Sequence, residues 1–234
     1  MLRSSLGFSL LAVTLLVAAC GAQPQQSGNA SALLSQTAEA MSGVKTVSAD
    51  FTFGKGVSLG SLTLLSATSK LDSSGDSSST FKVRQGDFLV DVQLITLGGK
   101  SYLQLPFSKF TLLTAAQSKE IPNPARLLDP STGLPALLTK GSQLSYLGQA
   151  TLAGVPCDEV RATFSATQIG TAVLGPGSSV PGNATATFWS ARSSHLLRKV
   201  QVSGDLLKAG QKVSLDAILS GYGTPVAIST PATP

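Results

Sequence analysis

The chain of 234 residues is 42% hydrophobic and only 12% charged, with a net charge of +5, against about 25% charged residues in an ordinary soluble domain. A mean hydropathy of +0.25 excludes a natively disordered chain, in which low hydrophobicity accompanies high net charge, and the length suits one folded domain. The basic residues are scattered, with no cluster that would track a phosphate backbone, which argues against nucleic acid as a partner and leaves an anionic membrane surface open.

Arg3 precedes an uncharged apolar run over 5–19, the n-region and h-region of a signal peptide. The run is shorter than the roughly 20 residues a spanning helix needs. It ends in Val17-Ala18-Ala19-Cys20-Gly21. Small residues before a cysteine in this position resemble the bacterial lipobox, in which the cysteine sulfur takes a diacylglyceryl group and becomes the mature N-terminus. Cys20 is the predicted lipidation site, the alternative being an ordinary export signal with a chance cysteine. The chain then divides into a signal peptide over 1–19, an acylated tether over 20–30 (GAQPQQSGNA after Cys20), and a folded domain over 31–234. The product is exported and lipid-anchored to the outer face of the cell membrane. With Cys20 acylated, Cys157 has no disulfide partner, and its apolar strand predicts a buried, inert thiol.

From Ser31 onward Leu33, Leu34, Thr37, Ala38, Met41 and Val44 recur at helical spacing, with Gly43 as the stop. Val47, Ala49, Phe51 and Phe53 then alternate with polar residues, the period-two signature of a strand with one wet face. The same alternation returns at 62–70, 81–84, 88–94, 99–105, 143–150, 155–164, 183–190, 195–203 and 212–220. Several of these runs meet at short turn signals such as Gln85-Gly86, Gly98-Gly99 and Ala153-Gly154, as antiparallel neighbours do. Two segments read as helical, 123–140, interrupted by Pro130 and Gly133, and 165–174; 175–183 reads as a loop. The pattern is an α+β domain of roughly ten mostly antiparallel strands, one face buried under a few helices and the other in water. Phe51, Phe53, Phe81, Phe88, Val90, Val92, Phe164 and Phe188 lie on the apolar side; pattern alone favours a solid core, since apolar alternation is what any sheet needs, and leaves a ligand cavity as the alternative.

Sites for catalysis or metal are thin. Gly56-Val57-Ser58-Leu59-Gly60 fits the G-x-S-x-G nucleophile elbow, and Asp158 and His195 follow in hydrolase order. An elbow turns from strand into helix, however, whereas 61–70 reads as another strand, so a hairpin turn is the simpler account. One histidine and one free cysteine are too few for a transition-metal site, and Asp72 and Asp76 with Ser73-Ser74-Gly75 read as a solvated hairpin tip. No residue pattern calls for a cofactor. Trp189 follows Phe188, so the two point to opposite faces.

The order of these segments resembles a family. The acylated N-terminus, the helix ending at Ala38-Glu39-Ala40-Met41-Ser42-Gly43-Val44-Lys45-Thr46 and leading into a phenylalanine strand, and the stretch Leu127-Leu128-Asp129-Pro130-Ser131-Thr132-Gly133-Leu134-Pro135-Ala136-Leu137-Leu138 are similar to the mycobacterial LppX/LprG lipoproteins. Leu152-Ala153-Gly154-Val155, Ala186-Thr187-Phe188-Trp189 and His195-Leu196-Leu197 follow in the matching order. The resemblance implies a curved antiparallel half-barrel like LolA and LolB, with helices across the concave face and an apolar cavity between. It also implies a non-enzymatic carrier of acylated lipids or lipoglycans across the cell envelope, with a lipid exporter or acceptor carrier as further partner. On this reading Leu34, Met41, Phe51, Phe53, Phe88, Val90, Val92, Leu127, Leu134, Leu138 and Phe188 line the cavity, and the Pro130 and Gly133 breaks serve as hinges of the cover. A non-catalytic envelope scaffold or protein-binding lipoprotein is the alternative.

Overall fold

The computed structural model describes residues 27–232 apart from 60, 122, 176, 178–181 and 209. The predicted signal peptide, Cys20 and most of the predicted tether lie outside the described residues.

Helix α1 spans Ser27–Ser42. It begins four residues ahead of the predicted start, so the last part of the expected tether is helical, and Ala30 is fully buried. The polar Ser27-Gly28-Asn29 gave no apolar periodicity to read. The strands follow as β1 (Thr46–Phe53), β2 (Ser58–Leu59), β3 (Leu62–Asp72), β4 (Ser77–Gln85), β5 (Phe88–Leu97), β6 (Lys100–Gln104) and β7 (Thr111–Leu112). Helix α2 (Ala115–Glu120), a 3-10 helix (Pro124–Leu128) and α3 (Leu134–Leu138) cross to the second half of the sheet. There β8 (Ser142–Leu152), β9 (Val155–Ser165), α4 (Ala166–Leu174), β10 (Asn183–Ala191), β11 (Leu197–Lys208) and β12 (Gln211–Ser220) complete the fold. All ten predicted strands are present; the additions are the two-residue β2 and β7. The predicted helical segment 123–140 is split at its proline and glycine into the 3-10 helix and α3.

The strands form one open antiparallel sheet in the order β7-β6-β5-β4-β3-β1-β12-β11-β10-β9-β8, with β2 hairpinned onto β3. The terminal strands of each half meet in the middle, where β1 pairs with β12 and Phe51 opposes Ala217. Register carries an apolar row across the sheet. Val160 opposes Phe188, Phe188 opposes Val200 and Val200 opposes Ala217; beyond Phe51 the row continues through Ala67, Phe81 and Val92. Partners in an antiparallel ladder share a face, so this row defines the concave side. The opposite side is polar: Thr52 pairs with Ser66 and Asp216, Thr187 with Gln201 and Arg161. Serine and threonine on this face supply much of the hydration that the low charge content withholds.

Helices α1 and α4 and the 3-10 helix pack on the concave side, α1 against β8 and β9, α4 against β9, β10 and β11, and the 3-10 helix against β3 and β4. The helices begin where sequence chemistry requires. Ser165 caps α4 by accepting the Gln168 N–H while the Gln168 side chain accepts the Ser165 N–H, a capping box that satisfies two orphan donors. Thr114 and Gln117 do the same for α2.

Candidate functional site

The apolar space between helices and sheet is one continuous cluster. Leu34 and Met41 of α1, Leu128 of the 3-10 helix and Leu134 and Leu138 of α3 pack with Phe51, Val160, Phe164 and Phe188 of the sheet. Phe164 and Phe188 meet edge to face, with ring centroids 5.9 Å apart and planes at 82°, the arrangement aromatic quadrupoles favour. The helices therefore sit directly on the sheet. A surface cleft of about 110 Å³ between α3 and α4 is lined mainly by Thr132, Lys140, Thr167, Gln168 and Thr171; it has room for a few waters and none for an acyl chain.

Of the eleven residues predicted to line a cavity, Leu34, Met41, Phe51, Leu134, Leu138 and Phe188 are brought into this cluster, and Phe53 and Leu127 pack against it half-buried. Val92 is buried further along the same face and Val90 is half-buried. Phe88 is 73% exposed. It shares the concave face with Val90 and Val92 but lies at the strand end beyond the reach of the helical cover, which alternation along a strand does not reveal. Leu128, Val160, Leu197 and Tyr222 belong to the cluster or pack against it and were not singled out from sequence. Leu127 and Leu128 are adjacent leucines in a 3-10 turn, so helical phase did not say which one points inward.

Two polar contacts fix α1 to the sheet. The buried Thr37 and Ser190 hydroxyls share a hydrogen bond of 2.8 Å, and the Tyr222 hydroxyl donates to the Leu197 carbonyl with the Met41 sulfur 3.7 Å away. Burial raises the Tyr222 pKa far above that of a free tyrosine, so this latch stays protonated at any physiological pH. The loop before α3 is held by Asp129, whose Oδ1 accepts the Ser131 N–H, the Ser131 hydroxyl and the Thr132 N–H. Those hydrogen bonds lower its pKa below the ordinary 3.8. Gly133 follows, where a Cβ would lie 2.4 Å from the Arg126 carbonyl and 2.7 Å from those of Leu127 and Asp129. Glycine is there for close backbone approach.

The remaining candidates are placed apart. Ser58 lies on the β2–β3 hairpin opposite Thr63. Asp158 accepts a hydrogen bond from Tyr146 and pairs with Arg192 at the start of β9. Those strands are separated by β1, β12, β11 and β10, about 24 Å at the usual strand spacing, so Ser58, Asp158 and His195 do not form the triad that their order in the chain hints at. Asp72 accepts the Ser74 N–H and Asp76 the Gly98 N–H; they brace turns. Cys157 is fully buried and its thiol pKa is raised, chiefly by desolvation. Trp189 faces outward, covered by the Lys199 ammonium 4.9 Å from its ring, which in turn pairs with Asp216.

An open antiparallel half-barrel with short helices laid over its apolar face, and without an assembled catalytic constellation among the described residues, defines the class: an α+β half-barrel that buries apolar material between sheet and helices. The chain belongs to the LppX_LprAFG lipoprotein family, whose model matches residues 29–228. No curated protein matches it closely enough to add to that assignment. Among solved structures it is similar to LprF from Mycobacterium bovis, at 20% identity and TM-score 0.70 over 90% of this chain and 100% of that one. It is likewise similar to the lipoprotein LppX from Mycobacterium tuberculosis, at 20% identity and TM-score 0.61 over 86% of this chain and 99% of that one.

Proposed function

We propose that this protein is a non-enzymatic lipid carrier, held by an acylated Cys20 on the outer face of the cell membrane, that binds acylated lipids or lipoglycans on its concave sheet face and carries them across the cell envelope. The observation that supports this most directly is the apolar row running from Val160 through Phe188, Phe51 and Phe81 to Val92 under a cover of short helices. Beside the long α1, this cover consists of a 3-10 helix of five residues, α3 of five and α4 of nine, separate pieces that can shift against the sheet one at a time. Acyl chains supply the energy: at about 0.8 kcal/mol per buried CH₂, a sixteen-carbon chain contributes on the order of 12 kcal/mol before ordering costs. Because Leu34, Met41 and Leu138 fill the space in this structure, a lipid enters by displacing the helices from the sheet and taking the place of their side chains.

The test uses the chain from residue 20 onward with Cys20→Ser, produced in a bacterial host and purified without detergent. Native mass spectrometry and solvent extraction are expected to find a stoichiometric bound lipid; a compact, lipid-free protein that also fails to take up added phospholipid overturns the carrier reading. The anchor is tested separately by detergent phase partitioning of exported protein, where wild type enters the detergent phase and Cys20→Ser stays in the aqueous phase.

A further inference from the structure

Large apolar side chains exposed to solvent are not spread over this molecule. Among the described residues, Phe88, Leu89, Leu105, Phe107 and Leu112 are exposed and all lie on β5, β6, β7 and the turns joining them; Ile218 on the outer face is the exception. The turns that end β4, β6 and β11 and the segment after β1 share one end of the antiparallel sheet. This end carries the exposed cations Lys55, Arg84, Lys109 and Lys212 against the exposed Asp87, while Asp205 is engaged by the Gly210 N–H. The concave face is also least covered here, with Phe53, Phe81, Val90, Leu206 and Leu215 only half-buried.

Phe107 is held out deliberately. It is fully solvent-exposed and has a left-handed backbone with φ of 61°, a conformation disfavoured for a bulky residue. The turn is braced around it: the Ser108 N–H and hydroxyl both donate to the Leu105 carbonyl, at 3.1 and 2.8 Å, and the Gln104 side chain donates to the Ser108 carbonyl at 2.9 Å. A turn that fixes an aromatic ring in water in a strained conformation is displaying that ring to something.

We propose that this end of the sheet docks onto an anionic lipid bilayer, Phe107, Leu89, Phe88 and Leu105 entering the interfacial layer while Lys55, Arg84, Lys109 and Lys212 contact the headgroups. Apolar tips inside a cationic rim are what such a surface binds, by apolar insertion together with attraction to anionic lipid. Chain connectivity agrees. The C-terminal half of α1 is fixed at the far end of the sheet by Ser190 and by Tyr222, which also holds the Leu197 carbonyl, and the helix packs along α3 and β8, whose start lies at the docking end. Six residues separate Cys20 from Ser27, a reach of about 25 Å when extended, which keeps a lipid-anchored body within touching distance of its membrane. Docking would bring the half-covered concave face to the bilayer, so that an acyl chain passes from membrane to protein without crossing water. This use of the surface rests on the carrier reading; the docking itself does not.

The test is co-sedimentation of the chain from residue 20 onward, carrying Cys20→Ser, with vesicles of phosphatidylcholine alone or with 30% phosphatidylglycerol. Wild type is expected to bind the anionic vesicles at least tenfold more tightly than the neutral ones, and the binding to weaken at high salt. Leu89→Ser/Phe107→Asn and Arg84→Glu/Lys109→Glu are each expected to weaken it at least tenfold with unchanged melting temperatures, since all four side chains are exposed. Wild-type chain that ignores anionic vesicles, or variants that bind as well as wild type, overturn the proposal. So does a dimer in sedimentation velocity that Leu89→Ser/Phe107→Asn dissociates, which would make a second copy the occupant. A lipid-free protein that still docks would leave this inference standing and remove the carrier reading; a lipid-loaded protein that does not dock would do the reverse.

Discussion

Thr37 on α1 and Ser190 on β10 are joined by a 2.8 Å hydrogen bond between two buried hydroxyls, the polar tie between the N-terminal helix and the sheet face it covers. The Thr37 oxygen also lies 2.8 Å from the Leu33 carbonyl one turn back in the helix, so its single proton is shared between the two acceptors unless Ser190 is the donor. Thr37→Val keeps the shape of the side chain but leaves the Ser190 hydroxyl buried without this partner, at a cost of about 1–3 kcal/mol. Thermal unfolding should show the loss, and Ser190→Ala added to it should restore part of the stability, because the orphaned group is then gone.

The loop ahead of α3 predicts a pH dependence. Asp129 has a lowered pKa because three donors favour its carboxylate. The stability it contributes is present above its unfolded pKa of about 3.8 and is lost as pH falls through the lower folded value. Wild type should therefore lose melting temperature as the pH falls below 4, and Asp129→Asn should flatten that part of the curve. Identical acid limbs for the two proteins would place the acid sensitivity elsewhere.

Gly133 is a site of contact, with three carbonyl oxygens within 2.7 Å of where a Cβ would be. Gly133→Ala is expected to destabilise by about 1–3 kcal/mol through overpacking, measurable by denaturant unfolding. The proposed hinge role adds a separate readout: if the segment between the 3-10 helix and α3 moves during loading, the same substitution changes the rate of lipid transfer.

Most of this architecture was legible because sheet faces announce themselves by alternation. Val47, Ala49 and Phe51 against Ser48, Asp50 and Thr52 gave β1 and its buried side directly, and the helical reading of 165–174 coincides with α4 (Ala166–Leu174). What alternation does not carry is how far along a strand the cover extends. Val92 and Phe88 are indistinguishable in pattern, yet one is 6% exposed and the other 73%, because the helices come from elsewhere in the chain and end short of the β4–β5 turn. The exposed turn at Phe107 was equally silent, since its conformation depends on Gln104 and Ser108 side chains bracing the backbone. The family likeness implies the half-barrel and a cavity, but the gathering of Leu34, Met41 and Leu138 into one buried cluster with Phe188 depends on how helices distant in the chain settle on the sheet, which no local pattern encodes.

Cys157 should be silent to thiol reagents in the folded state. It is fully buried, and desolvation raises its pKa and so disfavours the reactive thiolate. In the Cys20→Ser chain, a chromogenic disulfide reagent at pH 8 is expected to label less than a tenth of the protein in the time in which denaturant-unfolded protein is labelled completely. Rapid labelling of native protein would show that the β9–β10 region opens far more readily than its packing implies.

The same pair of hydroxyls that ties α1 down offers a direct test of whether α1 must lift. Their oxygens are 2.8 Å apart, so Thr37→Cys/Ser190→Cys, made in a Cys20→Ser/Cys157→Ala background, places two sulfurs close enough to bridge with small adjustment. In this structure helix side chains occupy the space over Phe51 and Phe188, and an acyl chain can reach that face only if the helices move. The oxidised protein is therefore expected to take up a fluorescent fatty-acyl probe at least tenfold more slowly than the same protein after reduction, while melting at a higher temperature. Uptake at equal rates by the two forms would mean that lipid enters without α1 leaving the sheet, through the half-covered end beside Phe53 and Phe81, and that α3 and α4 are the parts that yield.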